Sequence, residues 1–501
     1  MKSFYRTDFD KILSDWWDNI DISYRRAFFI VIGINLLAFG FEMSNLTLHH
    51  DDLAQIFIQD DILGHYLGRF GVGKLHLYTQ NAYFMPFLQM LEGIFFMSVY
   101  GLIVANFWGT SRTTDIVIVA SILCVFPYMS QLYQYNTSMA TYSLAHLLAA
   151  AAVITSVRAT AIWIAVSSVL YIAAFSIYQG VIANSATIFL IWVLINFIYP
   201  NQGEQSTLKK MIKAAVAALS SVLLGGLVYI FIVSLMDIPF DSYQSAGDAF
   251  KISDGINLTL ALTKITEGTR SFFFWPESYF PNYLKKLQLL IFLFGALLCF
   301  WLPKSYAKKL SAFILLILIV FAPRLLQLLH PGGKYHALTL TAYALVFSGA
   351  VLIIHRAGYT HLRNLSIVLS FFLISGYTLQ CNWISTVNYL NTFAHYSTLT
   401  QVLSRIRSLP EKSWDGKTIA VAGSYDMPSN YPYRSATGVA TEFMDVGHMQ
   451  KLADLMRDDV RFIPIGSNTP GALEYAANHP VWPHPESVAV VDGIGVVVFS
   501  K

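Results

Sequence analysis

Residues 27–52 read AFFIVIGINLLAFGFEMSNLTLHHDD, and this stretch decides the fold. Its first twenty positions are apolar except for a few small or polar residues, Asn35 and Glu42 among them, a run long enough to cross the hydrocarbon core of a bilayer. His49, His50, Asp51 and Asp52 then follow within a few residues. An abrupt change from membrane-length apolar sequence to dense charge marks a span and the first loop beyond it. That loop continues with Asp60, Asp61, His65, Arg69, Lys74 and His76.

The remaining chain repeats the apolar theme. Of 501 residues, 55% are hydrophobic and 13% charged, about half the charge content of an ordinary soluble domain. The sequence is that of a polytopic α-helical membrane protein. Apolar runs fall at 27–46, 84–106, 114–129, 140–157, 160–177, 181–199, 211–235, 287–302, 310–328, 336–354 and 365–381, predicting about eleven transmembrane helices. Residues 75–90 run without a break into the second of these and predict a helix in the membrane interface ahead of it. The net charge of +3 gives no reason to expect a nucleic-acid partner, and Cys124, Cys299 and Cys381 have the spacing of packed thiols rather than metal ligands.

Ahead of the first span, Phe9, Ile12, Leu13, Trp16, Trp17 and Ile20 form one helical stripe, the pattern of an amphipathic tail (residues 1–26) on a membrane surface or on neighbouring loops. No cleavage site follows, so the span reads as an uncleaved signal anchor. Arg25, Arg26, Arg112, Arg158, Lys209, Lys210, Lys213, Lys304, Lys308, Lys309, Arg356 and Arg363 all fall on one side, whereas the opposite short turns carry only Lys334. By the positive-inside rule the N-terminus is cytoplasmic and the C-terminus outside. Residues 27–383 form the membrane region, with long outer loops at 47–83 and 236–286. Residues 384–501 predict a small outer α/β domain with strands near 417–424, 462–466, 488–491 and 496–499 and helices at 395–409 and 448–456.

Candidate chemistry collects on the outer loops. Adjacent carboxylates at Asp51 and Asp52 suit a general base for a sugar hydroxyl or a ligand for Mg²⁺ or Mn²⁺. They suit equally the N-terminus of a helix over 52–63. Asp60, Asp61 and the histidines read as scaffold. Arg69, flanked by Gly68, suits a phosphate, or else a lipid headgroup at the interface. Tyr128, Tyr178 and Gln179 are of the types that stack on and hydrogen-bond to sugars, and also of the types that fill interfacial belts. Trp275, in the run Phe272–Phe273–Phe274–Trp275, is placed to cover an acceptor or dip into lipid. Arg270, Arg324, Lys334 and His336 supply cations for a lipid-linked phosphate.

An Asp–Asp pair just past the first span, Gly68–Arg69 later in that loop, Phe126–Pro127–Tyr128 with Tyr142–Ser143, and Tyr178–Gln179 at the head of a span, taken in this order, resemble the serotype-converting O-antigen glucosyltransferases of the Gtr type. The resemblance covers about residues 1–380, and departs at Gly68–Arg69–Phe70, where the family has Pro or Trp after the Arg. It implies a GT-C-like enzyme of the bacterial inner membrane with a periplasmic C-terminal domain. Such an enzyme takes glucose or another hexose from an undecaprenyl-phosphate sugar, with inversion, to a hydroxyl of lipid-linked O-antigen. It works alongside a flippase and a donor-synthesising transferase and needs no nucleotide cofactor. Asp52, or Asp51, would be the base, Arg69 would hold donor phosphate, and Glu42 would shape the site. Two alternatives belong to other classes. A flippase or transporter of lipid-linked sugars calls for ionisable residues and repeats within the spans, which the sequence largely lacks, and an O-antigen polymerase or ligase would rest on the middle outer loops instead.

Overall fold

The computed structural model describes residues 9–48, 52, 53, 56, 67–81, 83–200, 207–236, 257–303, 305–329, 331, 333, 335–410, 414–426 and 443–500. Every apolar run forms a helix. In chain order the helices are α1 (Phe9–Asp18), α2 (Ile22–Ser44), α3 (Phe70–Gln80), α4 (Pro86–Phe107), α5 (Thr113–Cys124), α6 (Met129–Tyr133), α7 (Met139–Ser156), α8 (Ala161–Ile177), α9 (Val181–Ile198), α10 (Thr207–Leu235), α11 (Leu258–Phe274), α12 (Asn282–Trp301), α13 (Tyr306–Phe321), α14 (Tyr343–Arg356) and α15 (Thr360–Arg407). Among the described residues nine helices are long and apolar enough to cross a membrane, while α5 and α8 are shorter apolar helices. The chain is a polytopic helical membrane protein.

Three features add detail to the sequence expectation. The stretch 236–286, expected as an outer loop, contains a regular helix, α11, whose Ala261, Ile265, Thr269 and Phe272 are buried along one side. Exposed Lys264, Glu267 and Arg270 interrupt its apolar pattern and disguise it as loop. The boundary at 383/384 falls inside α15, a helix of 48 residues and about 72 Å at the α-helical rise. Polarity changes near Asn382, but no Gly or Pro occurs between Tyr377 and Leu409, so nothing interrupts the backbone ladder. The interfacial helix expected within 75–90 is α3, which begins earlier and stops at Asn81 in a left-handed conformation with φ 51°.

Small residues let the helices approach closely, the usual way of packing where lipid removes the hydrophobic drive for association. A Cβ on Gly101 of α4 would lie 2.9 Å from Cα of Ala120 on α5, and one on Gly295 of α12 would lie 3.1 Å from Cα of Ala350 on α14. At one end of the bundle Asp115 binds Arg363 at 2.8 Å and His355 at 3.1 Å. Arg356 caps the carbonyls of Trp108 and Gly109, each at 2.5 Å. These bonds close the turns at that end.

The opposite end carries the C-terminal unit. Strands β1 (Thr418–Ala422), β4 (Arg461–Pro464), β5 (Val488–Val491) and β6 (Ile494–Val498) form a sheet in the order β4-β1-β6-β5, and β2 (Tyr425–Asp426) pairs with β3 (Phe443–Met444). β1 runs parallel to β4 and β6; β5 and β6 form a hairpin through Asp492 and Gly493, both at positive φ, as a two-residue turn requires. Ile419 and Val421 face Leu399, Val402, Leu403 and Ile406 of α15 together with Met449 and Leu452 of α16 (Val446–Leu455). Ala420 and Val496 face Ala472 on the other side, from α17 (Pro470–Asn478). Leu48 and Leu53, from the start of the first loop, join the first of these cores.

Replacing Gly101 by Val should force α4 and α5 apart and cost about 1–3 kcal/mol. We expect a lower melting temperature in detergent micelles; an unchanged one would contradict the close helix approach.

Candidate functional site

Asp52 is fully buried, and Ile56 N donates to its carbonyl at 2.9 Å, the i+4 bond of a helical turn beginning there. The remainder of the helix expected over 52–63, and Asp51, lie outside the described residues apart from Leu53 and Ile56. Nδ2 of Asn136 donates to Oδ2 of Asp52 at 2.7 Å and to the carbonyl of Thr47 at 2.6 Å. The Thr47 hydroxyl in turn donates to Oε1 of Glu42, with Ser385 of α15 beside it, and Leu48 N reaches the Thr392 hydroxyl of α15 at 3.5 Å. Glu42, Thr47, Asn136 and Asp52 thus form one buried chain of polar contacts. A carboxylate held this way keeps a fixed plane, as proton abstraction requires.

The second cluster surrounds Arg69. Its Nη1 donates to Tyr142 Oη at 2.9 Å and its Nε to Gln179 Oε1 at 3.4 Å, and the guanidinium lies 5.1 Å from the centre of the Tyr178 ring and 5.7 Å from that of Tyr142. Gln179 is itself fixed by donating to Leu67 O at 3.0 Å and to Tyr229 Oη at 2.7 Å, and that hydroxyl donates to Gly68 O at 3.0 Å. Gly68 takes φ 66°, which favours glycine. Burial works against the Arg69 charge, and Tyr142, Tyr178 and Tyr135 more than offset it, so its pKa stands above the ordinary range. Arg69, expected at a donor phosphate, and Tyr178 and Gln179, expected at the substrate, are far apart in sequence and lie together in one cluster.

The third cluster gathers Tyr128, Arg324 and the backbone of Trp275. Tyr128 donates to Glu277, whose other oxygen lies 3.5 Å from Lys285 Nζ; that ammonium also donates to the carbonyls of Trp275 and, at 3.1 Å, Phe272. Arg324 Nε donates to Tyr343 Oη at 3.0 Å, and the Tyr343 ring stacks on Phe272 at 3.7 Å. Neither Arg69 nor Arg324 has a carboxylate partner among the described residues, unlike Arg25, Arg363 and Arg407. A largely buried guanidinium held by neutral tyrosines keeps its charge available for an anion.

Other candidates stand apart. Arg270 is exposed on α11, one residue beyond the buried Thr269, and the Trp275 side chain is 57% exposed. His336 is half-buried ahead of the 3₁₀ turn Ala337–Leu340, with its carbonyl accepting from Thr339 N at 3.0 Å. Lys334 lies outside the described residues. Among the described residues no three His, Cys, Asp or Glu side chains converge as a metal site. Asn136, Tyr142, Tyr229, Glu277, Lys285 and Tyr343 were not among the expected site residues. The clue for Asn136 was a run of uncharged polar residues, Gln134 to Ser138, between two apolar stretches, where an amide has little reason to be except to bond something.

Asn136→Ala should leave Asp52 and the Thr47 carbonyl without this donor and cost about 1.5–3 kcal/mol. Thermal unfolding in micelles checks it, with Asn136→Asp expected to fare worse because it sets two carboxylates against each other.

A search of curated proteins finds no match. The family model for glucosyl transferase GtrII matches residues 40–354. That interval takes in Asp52, Arg69, Tyr128, Asn136, Gln179, Glu277, Arg324 and Tyr343, all three clusters, and stops just before α15. Well over half of the chain is matched, and the chain belongs to the GtrII glucosyl transferase family and is a glycosyltransferase.

Proposed function

We propose that the protein transfers glucose from undecaprenyl-phosphate glucose to a hydroxyl of lipid-linked O-antigen, with inversion, at the periplasmic face of the bacterial inner membrane. The observation that carries this reading is the pairing of a buried carboxylate, Asp52, held in plane by Asn136, with guanidiniums at Arg69 and Arg324 that no described carboxylate neutralises. One group accepts a proton and the other kind stabilises a phosphate, the two demands of this reaction.

In the single displacement, Asp52 takes the proton of the acceptor hydroxyl as its oxygen bonds to C1 of the sugar. The C1–O bond to phosphate breaks on the opposite face, and the electron pair leaves with the polyprenyl phosphate. Arg69, with Arg324 as the further cation, meets the charge that builds on that oxygen. Attack and departure on opposite faces give inversion. A polyprenyl phosphate is already a good leaving group, so the chemistry asks for a base and a cation rather than a nucleotide-binding loop. Asp51, Lys334 and any bound divalent cation would add to the same two roles.

Asp52→Asn keeps the shape and removes the base. We expect glucose transfer from polyprenyl-phosphate glucose to fall by about 10²–10⁴-fold, with melting temperature near that of the wild type. Transfer near the wild-type rate in correctly inserted protein would sink the assignment. The orientation is tested separately by single cysteines at the exposed positions Tyr83, Leu473 and Tyr359; the natural cysteines are buried. Membrane-impermeant maleimide should label Tyr83→Cys and Leu473→Cys from the periplasm, and Tyr359→Cys only after the membrane is opened. Labelling of positions 83 and 473 from opposite sides would overturn the topology.

A further inference from the structure

Gln134 follows the five-residue helix α6 and precedes Asn136, the residue that holds Asp52, by two positions. It is 4% exposed, and neither Oε1 nor Nε2 has a hydrogen-bond partner among the described residues. No other buried carboxamide among these residues leaves both ends unsatisfied. Its neighbours differ sharply. Gln131 Oε1 accepts from Leu338 N at 2.8 Å, Asn136 donates twice, and Gln89 both accepts from Ala140 N at 3.1 Å and donates to Gln80 at 2.9 Å. These three amides are engaged by protein atoms.

A buried amide without partners is costly, while a leucine of similar size in the same place would cost nothing of the kind. A second such atom lies at the other half of the site: Tyr178 Oη is buried without a partner beside the Arg69 guanidinium. Orphaned polar atoms thus occur two residues from Asn136, which holds the base, and beside the cation.

We propose that Gln134 is a sugar-recognition residue, its carboxamide donating to one hydroxyl and accepting from the neighbouring hydroxyl of a pyranose bound against Asp52. A carboxamide offers one donor and one acceptor side by side, which matches a vicinal hydroxyl pair. The inference rests on the transfer reaction proposed above and adds the residue that selects its saccharide. The pyranose is either the transferred sugar or the accepting one, and the kinetics separate them.

The test is Gln134→Leu, with Gln134→Met as the second variant should the first insert poorly. Both are assayed as the full-length protein in micelles with polyprenyl-phosphate glucose and lipid-linked O-antigen, and Asp52→Asn runs in parallel. The expected result is a melting temperature equal to or above that of the wild type, together with a KM raised about tenfold or more for one substrate and a kcat changed far less. A rise for the donor assigns Gln134 to the transferred sugar, and a rise for the acceptor to the accepting residue. A fall in melting temperature with both KM values unchanged would show that Gln134 bonds a buried water or the protein itself, and overturns the proposal. Unchanged stability with unchanged KM values overturns it as well. Absence of transfer by the wild type would instead overturn the reading of the whole site.

Discussion

Backbone that leaves the helix while buried inside a helical bundle must find its hydrogen bonds within the protein, because water does not reach it there. The segment from Val125 to Ser138, between α5 and α7, lives under that constraint. All of it is buried except Tyr135, and only α6 within it is helical. The segment meets the constraint by local turns, such as Met129 N to Phe126 O at 2.7 Å and Ser138 N to Tyr135 O at 2.9 Å. Its side chains turn outward to the surrounding loops instead. Tyr128 reaches Glu277, Gln131 reaches the backbone of Leu338, and Asn136 reaches Thr47 and Asp52. Tyr142, on the helix that follows, reaches Arg69. Loops that would otherwise be separate surface features are gathered onto one buried hub.

The electrostatic layout follows from the same hub. At the far end of the bundle, charges neutralise each other in the Asp115, His355 and Arg363 group, which serves packing. Around the hub, acid and base are kept apart. Asp52 is held by an amide, Arg69 and Arg324 by tyrosines, and among the described residues only Glu277 and Lys285 pair directly. Neutral holders cost the protein the Coulombic gain of an ion pair, yet leave each charge free to act on a bound molecule. This is the arrangement expected where the transition state, rather than the resting protein, supplies the counter-charge.

Much of this was legible in the sequence. Length and apolarity sufficed for the helices of the bundle, because a span is defined by its solvent. The strands of the β5–β6 hairpin are legible near 488–491 and 496–499, on either side of Asp492–Gly493. Arg69, Tyr178 and Gln179 could each be singled out by type and position, but their union could not, since it depends on α3 lying against α8 and α10. Two elements are only partly legible, for opposite reasons. α11 carries too much charge on one face to look like a buried helix, and α15 changes from apolar to polar without any residue that breaks a helix. Asn136 was overlooked because an uncharged amide announces nothing until its partner is known. Charge is visible in a sequence; complementarity is not.

The unbroken course of α15 has a mechanical consequence. Its apolar half lies in the bundle, and its last turns form part of the core of the C-terminal unit, so no hinge separates the two. Taken as a rigid rod, a tilt of about 5° about its middle moves either end by about 3 Å, given the rise of ~1.5 Å per residue. Thr392, past the middle of the rod, touches Leu48, and Leu48 and Leu53 sit in the same core as the end of the rod. The residues on either side of Asp52 are therefore carried with it. A load placed on the C-terminal unit is a torque on the loop that bears the carboxylate.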